Sequence, residues 1–228
     1  MVSPVTRMPV VLNGTHWELL SQGAAWWVER RWLAVADAHF GKAAAFRARG
    51  VPVPQGTTSY NLARLDALIA ALQPTTLVFL GDLFHAREAH APGTLAAFER
   101  WREQHAALDV VLVEGNHDLS AGAPPAALRI RCVAEPWCVD GVAFCHHPQY
   151  VAGATVLAGH LHPAVRLNGR ADDSLRLPCF WLSADEGRLV LPAFGAFTGG
   201  AGIARAPGDR VFAIAEGRLY EIPLRRAA

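Results

Sequence analysis

Five times in this chain a run of apolar, β-forming residues ends on side chains that bind divalent metals. The clusters are Asp37-Ala38-His39, Gly81-Asp82, Gly115-Asn116-His117-Asp118, Cys145-His146-His147-Pro148 and Gly159-His160-Leu161-His162. In an α/β sheet the carboxyl ends of the strands converge on one crevice, so residues far apart in sequence can surround one point. The pattern therefore commits the chain to a fold that gathers those strand ends. Oxygen and imidazole donors collected in this way describe a two-metal hydrolytic site.

The segments between the clusters supply the scaffold. Short β runs are expected at Thr15–Leu20, 25–28 and Trp32–Ala36, and the third delivers Asp37. A helix is signalled over Thr57–Leu72, where Leu62, Leu65, Leu68, Ile69 and Leu72 recur at helical spacing and Pro74 lies beyond the end. The strand Thr76–Leu80 then leads to Asp82, and a helix near 93–107 precedes the strand 110–113 that delivers Asn116 and His117. Beyond that point strands follow without long helices: 141–145, Thr155–Ala158, 177–183, 189–191, 211–215 and 219–223. Asp185-Glu186-Gly187 and Glu216-Gly217 read as hairpin turns, and 121–125 and 199–208 as loops. A βαβαβ start and a β-rich second half predict an α/β (mixed α+β) fold, with two facing mixed sheets flanked by helices. Its metal site lies at the carboxyl ends of the strands, within one domain spanning 1–228.

Spacing within the clusters suggests how the donors divide. On extended backbone residues i and i+2 share a side, so Asp37 pairs with His39 and His160 with His162. Asp82 would supply the bridge, since two carboxylate oxygens can span cations about 3.5–4 Å apart. Mixed nitrogen and oxygen donors with a neutral Asn116 suit Mn²⁺, Fe or Zn²⁺ better than Mg²⁺ or Ca²⁺. Strand alternation allows only one of His146 and His147 to face the site and does not say which. Pro148, ending the strand, favours His146, while Cys145 on the opposite face reads as a packed core thiol.

Composition narrows the setting more than the chemistry. The 228 residues carry a formal net charge of +1, too little to announce nucleic acid or membrane by field alone. No apolar run approaches the roughly 20 residues of a membrane span, so a soluble protein is expected. The four cysteines, Cys132, Cys138, Cys145 and Cys179, show no C-x-x-C spacing, and residues 1–10 show no signal-peptide pattern. A reducing cytoplasm is the expected compartment. Lys42 is the only lysine among the 21 basic residues, which codon bias explains as readily as a need for arginine forks on phosphate.

In order and type, the clusters resemble those of the calcineurin-like metallophosphoesterase superfamily: Asp-x-His, Gly-Asp, Gly-Asn-His-Asp, His and Gly-His-x-His. Within it the chain looks like the bacterial ligase-associated DNA-damage-response metallophosphoesterases. That closer resemblance is carried by Ala36-Asp37-Ala38-His39-Phe40-Gly41-Lys42 with Phe46-Arg47 and Val51-Pro52-Val53-Pro54, by Gly81-Asp82-Leu83-Phe84-His85, and by Leu191-Pro192-Ala193-Phe194-Gly195-Ala196-Phe197-Thr198-Gly199-Gly200. The resemblance implies one metal on Asp37, His39, Asp82 and His162 and a second on Asp82, Asn116, His146 and His160. It also selects His146 over His147 and implies a manganese-dependent phosphodiesterase that cuts single-stranded DNA in repair, in functional association with a DNA ligase, a helicase and an exonuclease.

A water shared by two such cations becomes acidic near neutrality and attacks phosphorus in line. His117, beside Asn116, is placed to contact a phosphoryl oxygen or to protonate the leaving group, the role the resemblance assigns it. Asp118 is expected to orient His117 through its other ring nitrogen or else to cap the chain that follows. His85, Arg47 and Lys42 are candidate substrate contacts. Arg49 reads more simply as solvated charge, and His16, His90 and His105 have no assigned role. The tryptophans Trp17, Trp26, Trp27 and Trp32 could stack on bases, although packing between sheets explains them more simply. The rival functions are a phosphomonoesterase or small-molecule phosphodiesterase on the same centre, and a non-catalytic scaffold.

Overall fold

The computed structural model describes residues 6–48, 50–53, 56–86, 91–169, 173–184 and 187–223. Arg49, His90 and the first two residues of the expected 185–187 turn lie outside them. Two sheets face each other. The first runs in chain order through β1 (Arg7–Leu12), β2 (Thr15–Leu20), β3 (Ala24–Trp27), β4 (Trp32–Ala36), β5 (Thr76–Leu80), β6 (Asp109–Val113) and β7 (Arg131–Val133). Its first four strands form an antiparallel meander, while β4 to β7 are parallel. Helices α1 (Lys42–Ala48) and α2 (Thr57–Leu72) lie between β4 and β5, α3 (Pro92–Gln104) between β5 and β6, and α4 (Asn116–Ala121) after β6.

The second sheet contains β8 (Trp137–Val139), β9 (Val142–Phe144), β10 (Thr155–Ala158), β11 (Pro163–Asn168), β12 (Ser174–Ser183), β13 (Arg188–Val190) and the two-residue β14 (Ala201–Gly202). β15 (Arg210–Ala215) joins it through β12, and β16 (Arg218–Glu221) follows through β15. β9, β10 and β13 are mutually parallel, so this sheet too aligns several carboxyl ends.

Period-two alternation separates the two cores. Leu33, Val35, Leu77, Phe79, Val110 and Leu112 pack against Leu62, Leu65 and Leu68 of α2 and Phe98 and Trp101 of α3. Ala34, Ala36, Val78, Leu80 and Val113 turn the other way and meet Val142, Phe144, Leu157, Phe180 and Leu189 of the second sheet. Trp17, Trp27, Trp32 and Trp137 surround Phe144 in that inter-sheet layer, with Trp17 on Trp27 at 5.1 Å and Trp32 on Trp137 at 5.5 Å between ring centroids. The four rings thus serve packing. Cys145 is buried in a small cluster on the outer face of the second sheet, as alternation predicts.

Local chemistry accounts for several boundaries. α2 ends at Gln73 in left-handed conformation, just before Pro74, which cannot continue a helix. Glu216 and Gly217 both have positive φ, as the two-residue hairpin between β15 and β16 requires. Residues 199–208, expected to be loop throughout, instead contribute β14, whose Ala201 and Gly202 pair with Pro163 and Ala164 of β11. Among the described residues no helix is long and apolar enough to cross a membrane.

Candidate metal centre

The crevice forms between two sheets and not at the switch point of one. Residues following β4, β5 and β6 of the first sheet meet those following β9 and β10 of the second. Loop amides hold the strand ends together: His39 N–H donates to Asp82 O at 2.9 Å, Phe40 N–H to Leu83 O at 2.8 Å and Gly159 N–H to His146 O at 3.1 Å. The 191–200 segment closes the flank of β4, where Phe194 N–H donates to Ala36 O at 2.8 Å and Gly195 N–H to Asp37 O at 3.1 Å.

The donors do not sit on extended backbone, which corrects the expectation of i, i+2 geometry. Asp37, His39, Asp82, His160 and His162 have φ of 51°, 44°, 51°, 66° and 45°, all left-handed. Each strand has ended before its first donor, and the turn it enters aims the side chains. β9 likewise ends at Phe144, before either histidine of its cluster, so alternation does not govern His146 and His147. Their ring centroids lie 4.9 and 4.4 Å from that of His160, and each of the three histidines has a ring nitrogen within 4.8 Å of the others'.

The donors fall into groups around one buried carboxylate. Asp37, His39 and His162 converge on one side, with His162 Nε2 3.3 Å from Asp37 Oδ1. On the other, His146 Nε2 is 3.0 Å from Asn116 Oδ1 and 3.1 Å from His160 Nδ1. Asp82 lies between, with Oδ1 3.5 Å from His146 Nε2 and Oδ2 3.7 Å from His39 Nε2. His146 Nδ1 stands 3.0 Å from the Leu80 carbonyl, which can only accept, so Nδ1 donates there and Nε2 is the ring nitrogen that faces Asp82 and Asn116. Burial pushes the His39 imidazole down to about 2, with Lys42 and the neighbouring histidines adding to the effect, so this ring is neutral.

Close packing leaves no slack behind these groups. Gly81 has φ 77°, and a Cβ placed there would lie 2.0 Å from Nδ1 of the fully buried His146 ring. Gly81→Ala should therefore cost about 2–4 kcal/mol, from left-handed backbone and overpacking together. Urea unfolding reads this directly, and an unchanged midpoint would contradict the packing described.

His117 sits at the open side of the centre, Nε2 3.9 Å from Asp82 Oδ2 and Nδ1 2.8 Å from the His85 carbonyl. Its ring stacks on His85 at 5.0 Å, and His85 stacks on Phe46 at 5.9 Å. The expected contact between Asp118 and His117 is not made. Asp118 accepts instead from the amides of Asp82 at 2.7 Å, Leu83 at 2.9 Å and Gly115 at 2.9 Å. Those bonds fix the Asp82 turn and the start of α4. Burial pushes the Asp118 carboxyl up to about 6 against these bonds, with Asp82 adding to the rise.

Lys42 opens α1 at the edge of the centre. Burial lowers the pKa of its ammonium, and Asp37 and Asp82 oppose the drop. Arg47, in the last turn of α1, is exposed, with Nη1 3.5 Å from the Val53 carbonyl. One contributor went unforeseen. Glu135 accepts from the amides of His146 and His147 at 2.6 and 2.8 Å and meets His147 Nδ1 at 2.6 Å. Burial works against its charge, but the bonds from the two histidines hold its pKa below the usual value. No spacing rule connects residue 135 to this cluster; only the fold brings it there.

Asp37 Oδ1 and His162 Nε2, 3.3 Å apart, are buried without a hydrogen-bond partner among the described residues. Unpaired polar atoms are costly in a protein interior, and a shared cation would satisfy lone pairs that face one another. A buried carboxylate between imidazole clusters, at the strand ends of a two-sheet sandwich, defines a metal-dependent phosphoesterase. The model of the calcineurin-like phosphoesterase family matches residues 30–177, and the chain belongs to that family. It is a hydrolase acting on phosphoester bonds, of a family that works with divalent metals. The chain is similar to the Pseudomonas putida nuclease MPE, with 45% identity, a TM-score of 0.84 and coverage of 95% of this chain and 100% of that one. Similarity to YfcE, a phosphoesterase from E. coli, is lower, at 17% identity, 81% and 88% coverage and a TM-score of 0.39. No curated protein matches the chain.

Proposed function

We propose that this chain is a two-metal phosphodiesterase that cuts DNA, single-stranded DNA in particular, with Mn²⁺ as its working metal. The observation that carries the reading is Asp82, whose two oxygens face different donor groups. Asp37, His39, Asp82 and His162 would hold one cation, and Asp82, Asn116, His146 and His160 the other. His147 stands beside the second group, oriented by Glu135. The likeness to a nuclease over nearly the whole chain supports a nucleic-acid substrate. The chain acts as one cytoplasmic domain in DNA repair, alongside a ligase, a helicase and an exonuclease.

When bound, the two cations supply an acidified water and neutralise charge on the phosphoryl oxygens. The chain's own residues do the rest. Asp118 and the Leu80 carbonyl fix the Asp82 turn and the His146 ring, so the donors are aligned before metal or substrate arrives. His117 donates Nδ1–H to His85 O and turns Nε2 to the open side, where, once protonated, it can hold a phosphoryl oxygen or give a proton to the leaving oxygen. His85 and Lys42 border the same opening and contact the substrate; Arg47 contributes charge from the end of α1.

The test uses protein purified without chelator, supplied with Mn²⁺ and offered single-stranded DNA, duplex DNA, a model phosphodiester and a model phosphomonoester. Cleavage of single-stranded DNA and of the diester is expected. Hydrolysis of the monoester alone would sink the nuclease reading, and two-metal protein inert on all four would favour a scaffold.

A further inference from the structure

Beside the centre, on the His162 side, lies a cavity of about 800 Å³, within the range of roughly 300–1,000 Å³ typical of small-molecule sites. Its wall is the 191–200 segment, and its floor includes Ala164 and Pro178, paired across β11 and β12. Among the described residues two guanidiniums line it, and no carboxylate does. Arg64 donates to the carbonyls of Phe194, at 2.6 Å, and Gln22, and lies 4.0 Å from the Phe194 ring centroid. Carbonyls satisfy its N–H groups without cancelling its charge. Among the described residues Arg176 gives one bond, to Gly200 O at 2.8 Å, which leaves donors of its fork for a ligand.

The β11–β12 ribbon extends this basic surface outward. Arg166 stands directly opposite Arg176, both exposed, and neither makes an ion pair among the described residues. Like charges facing each other across strands destabilise a sheet, so the pair calls for an anion. Tyr60, 56% exposed, also lines the cavity, one turn before Arg64 on α2, with the Arg64 guanidinium 5.8 Å from its ring centroid. A metal centre at one end, a flat apolar floor, flanking guanidiniums and an aromatic ring together suit a single-stranded polynucleotide.

The geometry points to this cavity as the track for the DNA strand flanking the scissile phosphate: Arg176 and Arg166 bind its phosphates, Arg64 sets the potential of the wall, and Tyr60 stacks on a base. The assignment rests on the DNA reading proposed above. Arg166→Ala/Arg176→Ala and Tyr60→Ala alter exposed side chains outside the centre, so both proteins should fold, as thermal melting will verify. The probes are a labelled single-stranded oligonucleotide and bis(p-nitrophenyl) phosphate, each with Mn²⁺.

Tyr60→Ala is expected to weaken oligonucleotide binding about tenfold. The arginine variant should lower the slope of log affinity against log salt by about 0.7 for each phosphate that is no longer neutralised. Turnover of the small diester, too short to reach the track, stays at the wild-type value in both. Wild-type DNA affinity and salt slope in the variants would overturn the track while leaving the nuclease intact. Equal losses on DNA and diester would also overturn it, by tracing the effect to the metal centre. If the unaltered protein turns over the diester but neither binds nor cuts DNA, the DNA reading fails and the track fails with it.

Discussion

Asp82→Asn should lower turnover by on the order of a thousandfold, equivalent to about 4 kcal/mol in barrier, and leave the fold intact. Asparagine has nearly the same shape, and its side-chain oxygen can still accept the His117 amide that Asp82 Oδ1 now accepts at 3.0 Å. What it loses is charge and one of two oxygens able to face separate cations. Metal analysis of the purified variant should therefore give clearly less than the wild-type content. Full metal content with full activity would show that the carboxylate between His39 and His146 bridges nothing.

His117→Ala should separate chemistry from metal binding. Metal content is expected to stay at the wild-type value, while DNA cleavage falls by about 10²–10⁴-fold, the range for loss of a positioned acid. A diester with a nitrophenolate leaving group needs little protonation, so its hydrolysis should fall far less. If both substrates lose rate equally, His117 acts by holding a phosphoryl oxygen. Its position allows either, with Nε2 on the open side and 38% of its side-chain surface exposed.

Much of the fold is legible in the chain because one physical rule governs it. Thr15–Leu20, Trp32–Ala36, Thr57–Leu72, Thr76–Leu80 and Thr155–Ala158 are found where periodicity puts them, since each has a clean apolar face and ends in turn chemistry. β1 carries a signal that the pattern of apolar runs does not use: Asn13-Gly14, with φ of 45° and 84°, is the preferred two-residue hairpin turn and joins it to β2. β11 gives less signal, because its second half, Arg166, Leu167 and Asn168, is exposed and shows no apolar alternation.

The site divides in the same way. Its candidate donors can be named because metal chemistry restricts residue type and strand order restricts placement. Their backbone cannot, since nothing in Asp37-Ala38-His39 announces that two of the three residues have positive φ. For Asp118 the sequence allows either an orienter of His117 or a cap. The choice depends on the amides of Asp82 and Leu83, more than thirty residues away. Glu135 reaches His146 and His147 only through folding.

The left-handed turns that carry the donors have an evolutionary corollary. Asparagine, aspartate and histidine are the non-glycine residues that enter this region most readily. They are also the residues a dinuclear phosphoesterase uses as ligands, so one short alphabet meets both the conformational and the chemical demand at positions 37, 39, 82, 160 and 162. Glutamate or cysteine could bind a metal there, but the backbone would resist the exchange. Drift toward a different metal should thus be slowed by the turns themselves, and donor swaps should be accepted more easily at Asn116, in helical conformation, than at the five strained positions.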